Sequence, residues 1–122
     1  MNPQVPLTAA VSNINNGTKA LAASNTANQN LAAGTNVPAN LTRANTNNTK
    51  AANQFNLGAK NLGAAANLVP NKSLKNKLNV AQKHFTTAAI NAAGNQPIKS
   101  ATHARRGINA LKNYIGANLA NV

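Results

Sequence analysis

The chain reads as an all-α protein, an antiparallel up-down-up-down four-helix bundle forming a single domain over residues 1–122. Three observations predict this. Apolar and small residues recur at three- and four-residue steps along four stretches, the mark of helices with one buried face. The β-branched alternation of strands is missing. Proline or glycine punctuates the chain between the stretches, so the connections are only a few residues long, which places sequence neighbours side by side and antiparallel.

The first helix is expected over residues 6–33, opening near Pro6 and stopped by Gly34. Its stripe is Leu7, Val11, Ile14, Thr18 and Leu21, continuing through Asn25, Asn28 and Ala32. The second is expected over 38–69, with Pro38 in the first turn, where a missing N–H costs nothing. It carries Leu41, Ala44, Asn48, Ala51, Phe55, Gly58, Leu62, Ala65 and Val69, and Pro70 stops it. The third, over 72–94, can be capped by Asn71 or Ser73. Its face is Leu74, Leu78, Ala81, Phe85, Ala88 and Ala92, and Gly94 closes it. The fourth, over 97–121, follows Asn95-Gln96-Pro97 and presents Ala101, Ala104, Ile108, Leu111, Ile115, Leu119 and Val122. With two Phe, one Tyr and no Trp, the core must be Leu, Ile, Val and much Ala, so helices must approach closely. The Asn/Thr/Ala-rich stretch from Ser24 to Lys50 resembles low complexity, but the second stripe runs on through it.

The charge is one-signed. The sequence has no Asp or Glu against 12 Lys and Arg, a formal net charge of +12. Ordinary domains are about a quarter charged, with both signs present. Asparagine occurs 25 times, although it is a poor residue for a helix interior. Because Asn is isosteric with Asp, and Gln with Glu, carboxylates at these positions would reverse every electrostatic inference and leave the fold reading unchanged.

The missing carboxylates remove most active-site chemistry. His84 and His103 are the only acid–base candidates, and histidine catalysis needs an orienting carboxylate and a nucleophile. Ser12, Ser24, Ser73 and Ser100 show no partner pattern. Both histidines sit on the flanks of their stripes and are expected as exposed surface residues. Zinc would need further ligands, cysteine is absent, and no glycine-rich phosphate loop is present. The chain is therefore expected to be no enzyme, with no catalytic, cofactor or metal residues. No apolar run reaches the roughly 20 residues that span a bilayer, so a soluble, non-spanning protein is expected.

What remains is binding. The candidate basic docking face is Lys72, Lys75, Lys83, Lys99, Arg105, Arg106 and Lys112 on the third and fourth helices. A phosphate backbone or an acidic protein surface fits such a face, and so does a solvated face without a ligand. Only Phe55, Phe85 and Tyr114 are aromatic, too few for a base-stacking platform. Asn25, Asn28 and Asn48 fall on the core stripes at one end of the bundle. They read either as a polar layer that fixes register or as amides facing solvent at a frayed end.

Two resemblances bear on function. His103-Ala-Arg-Arg106-Gly107 resembles the His-x-x-Lys-Gly signature of histidine phosphotransfer domains, themselves four-helix bundles, although here it lies in the last helix. Residues 73–119 resemble the last two helices of PsbQ-type extrinsic subunits of photosystem II. The resemblance rests on Phe85, Ala88-Ala89, Ala92-Ala93, then Ala101, Ala104, Ile108, Leu111 and Tyr114. It implies a non-catalytic accessory subunit in the thylakoid lumen, docked on a larger membrane complex and holding no cofactor itself. The leading expectation is thus an accessory or structural subunit docking through a helix face onto a larger protein assembly. The alternative is a basic protein that coats nucleic acid, capsid-like or chromatin-like, and the third reading is a phosphotransfer module.

Overall fold

A computed structural model describes residues 2–115, and these form four α-helices with no strand among them. They are α1 (Gln4–Ala32), α2 (Val37–Leu68), α3 (Lys72–Ala93) and α4 (Pro97–Ile115). The expected fourth-helix end at 121, and the expected burial of Leu119 and Val122, lie outside the described residues, as does the side chain of Ile115.

Local chemistry sets the boundaries. α1 starts before Pro6 because Asn2 Oδ1 accepts the Gln4 N–H at 3.0 Å and Pro3 already has helical torsions. Gly34 ends it with φ +73°, a left-handed conformation that costs glycine little, while the Thr35 N–H reaches back to the Asn30 carbonyl at 2.9 Å. Asn36 is also left-handed, and the turn is held by Asn40, whose Nδ2 donates to the Thr35 and Asn36 carbonyls. Val69 is extended before Pro70, as the proline ring requires of its predecessor. Asn71, rather than Ser73, caps α3 by accepting the Leu74 N–H at 3.0 Å. A Gly94–Asn95 turn, with Asn95 left-handed, leads into Pro97.

Each helix packs on its neighbour in sequence, and α4 also touches α1. At the centre the rings of Phe55 and Phe85 stack with centroids 5.9 Å apart. Phe55 lies on Gly17 of α1, and Phe85 lies on Gly107 of α4. Around them close Leu7, Ile14, Leu21, Leu62, Leu78 and Leu111, with alanines filling the rest. The expected faces of α2 and α3 are buried almost throughout.

Three expectations are corrected. Leu41 is exposed, two turns ahead of Asn48, the residue of α2 that bonds the α3–α4 turn. The second half of α1 turns in through Ser24 and Ala27, so Asn25 and Asn28 are half-buried and Ala32 is exposed. α4 packs through Pro97, Ser100, Ala104, Gly107 and Leu111, leaving Ala101 and Ile108 half-buried on its flank. In each of the last two cases a small residue faces the neighbouring helix, because small side chains let backbones come together.

Candidate functional site

All twelve Lys and Arg side chains are exposed. With no carboxylate side chain in the sequence, none of them has an acidic side chain to pair with. No side-chain charge of the opposite sign offsets theirs, so the side chains make the surface one-signed.

The seven residues of the candidate docking face are all exposed and lie on two helices packed side by side. Helical spacing divides them. Lys72, Lys75 and Lys83 project from the outer side of α3. Lys99 and Arg106 lie two turns apart on the flank of α4 that carries His103, and Arg105 and Lys112 lie on its opposite flank.

The two histidines are not the exposed, separate residues expected. Both are half-buried, and their rings face each other across the α3–α4 seam with centroids 6.4 Å apart and planes 28° apart. The register that sets Phe85 on Gly107, and lets Ser100 Oγ donate to the Ala88 carbonyl at 2.6 Å, brings them together. His103 Nδ1 is buried and has no hydrogen-bond partner. Burial, then the charge of His103, then that of Arg106, hold the His84 imidazole below the usual value of 6.5. The pair stands nineteen positions apart in sequence, so only the packing of α3 on α4 could have revealed it.

The amide layer is partly inside. Asn48 is 4% exposed. Its Oδ1 accepts from Ser24 Oγ, and its Nδ2 donates to Asn95 Oδ1 at 2.7 Å. Asn28 Nδ2 donates to the same Asn95 oxygen at 3.2 Å. One network therefore ties α1, α2 and the α3–α4 turn, whereas Asn25 is only half-buried. A second ladder links Asn61 Nδ2 to Asn13 Oδ1 at 2.9 Å and Asn13 Nδ2 to Gln54 Oε1 at 3.0 Å. Beside it an open groove of about 410 Å³ is lined by Asn16, Lys19, Ala20, Asn47, Lys50 and Gln54. Sequence reading missed this groove because its two lysines sit on different helices.

Among the described residues the surface offers cations, amides, hydroxyls and one pair of imidazoles. Ser24 and Ser100 are buried and engaged in structural hydrogen bonds. Among the described residues no group of three metal-ligating side chains comes together, and no helix is long and apolar enough to cross a membrane. No known protein family, curated protein or solved structure matches this chain.

Proposed function

We propose that this chain is a non-catalytic docking protein, an antiparallel up-down-up-down bundle that attaches through its cationic helix surface to an acidic face of a larger assembly. The bundle topology is supported by the paired residues. On α1 and α2 these are Asn13 with Asn61, Gly17 with Phe55, Ser24 with Asn48 and Asn30 with Asn40. Numbers that rise along one helix fall along the other. Ala88 with Ser100 and Phe85 with Gly107 repeat the pattern on α3 and α4.

One observation carries the function: twelve exposed cations on a chain without a single acidic side chain. Charge balance then has to come from outside, from counterions or from an acidic partner that displaces them. Lys72, Lys75, Lys83, Lys99, Arg105, Arg106 and Lys112 are the residues proposed to meet that partner. A membrane complex of the kind that carries PsbQ-type subunits is one such assembly.

The same charge favours a second reading, coating of a nucleic-acid duplex by phosphate contacts. Phe55 and Phe85 are fully buried, so neither offers a ring to a base. Any such binding would rest on the backbone and carry no sequence preference. The test is titration with a fluorescent polyglutamate and with a 20-base-pair duplex over a range of salt. Docking on an acidic protein predicts that polyglutamate binds with an affinity that falls steeply with salt and drops when Lys72, Lys75 and Lys83 become Gln. A duplex bound more than tenfold tighter at equal charge favours coating. Binding of neither polymer at low salt overturns both readings.

A further inference from the structure

The only two histidines of the chain lie on different helices, and the fold brings them face to face. Their centroids are 6.4 Å apart, and His103 Nδ1 is buried with nothing to bond to. A buried, unpartnered nitrogen is costly, so His103 has an unmet hydrogen bond at this seam. Arg106 stands one turn beyond His103 on the same helix and is close enough for its charge to act on His84.

The charged and titratable groups that bear on His84 are His103 and Arg106, both from α4. On α3 itself Lys77 stands two turns back on the same flank, and Lys83 is the preceding residue. α2 packs on the other flank of α3, through Phe55 on Phe85 and Gly63 on Gln82, and brings no charge to bear on His84. Every charged side chain nearby is a base, and no acid exists anywhere in the sequence to balance them.

This environment suits an anion. Two imidazoles without a third ligand and beside a guanidinium make a poor cation site. Once protonated, each imidazole has two N–H donors and a full charge. Charge-assisted N–H···O bonds run about 2.7–2.9 Å, so one tetrahedral oxyanion can accept from both rings and from the arginine fork.

We propose that His84, His103 and Arg106 form an oxyanion site on the α3–α4 seam, one that fills with a sulfate or phosphate group as the imidazoles take up protons. It is separate from the general docking surface. Lys and Arg attract anions at every pH below their own titration, whereas this site tightens only as the histidines titrate. The proton comes from solvent, and binding and protonation favour each other equally.

The experiment titrates the protein with sodium sulfate near pH 5.5 and pH 8, holding ionic strength constant with sodium chloride. The readouts are the histidine ring-proton shifts in NMR. Sulfate is expected to bind at least about tenfold tighter at the lower pH and to move the His84 ring-proton titration upward, which is the same coupling seen from its two sides. His103→Gln should weaken the pH dependence, and replacing His84 by Gln as well should remove it. Arg106→Gln, at an exposed position that does not threaten folding, should weaken binding at the lower pH. Arg43→Gln removes the same charge from α2 and should leave sulfate binding unchanged. Dextran sulfate at equal sulfate concentration separates the sources. Saturation by inorganic sulfate assigns the site to a free anion. Saturation only by the polymer, still lost in the His103 and Arg106 variants, assigns it to a chain-borne ester. If chloride moves the histidine resonances as far as sulfate does, or if sulfate binds equally at both pH values, the site does not exist.

Discussion

Phe55 lies so tightly on Gly17 that a Cβ added to the glycine would stand 2.7 Å from the ring's Cε1. Phe85 does the same to Gly107, at 2.6 Å from Cε2, and the two rings stack on each other. Neither ring has room to retreat, because both are fully buried. Overpacking such a core costs about 1–3 kcal/mol. Glycine to alanine in a helix interior otherwise gains about 0.5–1 kcal/mol. Gly17→Ala and Gly107→Ala are therefore each expected to lower stability in urea unfolding. Their effects should not add in the double variant, since both act through one stack of rings. An unchanged or raised midpoint in either single variant would show that the rings are not confined.

Gly63 gives the opposite sign. A Cβ there would meet Gln82 Nε2 at 2.7 Å, but that atom ends a flexible, half-buried side chain that can swing aside. With the clash relieved, helix propensity decides, and Gly63→Ala should stabilise the protein by about 0.5–1 kcal/mol. A loss comparable to that at Gly17 would mean that Gln82 is held in place.

These glycines show where sequence reading stops. The stripes through Phe55 on α2 and through Phe85 on α3 are legible because large apolar residues mark them at helical spacing. Gly17 and Gly107 have no side chain to mark a face, and pattern alone reads glycine as a weak point in a helix. The inward turn of α1 at Ser24 and Ala27 is equally silent, since small residues make contact by letting backbones approach. Leu41 misleads in the other direction. It has the right spacing and the right chemistry, yet half of its surface stays exposed. Of the candidate site, the cations were legible from composition alone. The meeting of His84 with His103 was not, because it depends on the register of two helices.

Asn48 tests whether the amides are structural. Truncation to Ala leaves the buried Ser24 hydroxyl without its acceptor and takes from Asn95 Oδ1 the nearer of its two donors. The expected loss is about 1–3 kcal/mol. Asn48→Asp should be more harmful at neutral pH. It sets a carboxylate oxygen against Asn95 Oδ1 and buries a charge. Protonation would restore a donor, so the Asp variant should regain stability as pH falls, while the Ala variant gains nothing from its own substitution. If Asn48→Asp matches the parent at neutral pH, the network does not need an amide at this position.

The parent chain should respond to acid through its histidines. In the folded state His84 binds a proton less readily than in the unfolded chain, because burial, His103 and Arg106 all oppose its charge. Below the ordinary value of 6.5 the unfolded state takes up the proton first, so acidification favours unfolding. The stabilisation is fully present above 6.5 and is lost as pH falls through the lowered folded value. Acid unfolding normally has a second limb from carboxylates near pH 4, and a sequence with no Asp or Glu has no side chain to supply it. Urea midpoints in dilute chloride should therefore hold level from pH 8.5 to 7 and drop below 6.5, with no further side-chain limb from carboxylates. His84→Gln should flatten most of the drop, because it leaves His103 facing a neutral side chain. A drop that persists undiminished in His84→Gln, or a parent curve with no drop at all, would show that the imidazole pair does not govern the acid stability of the fold.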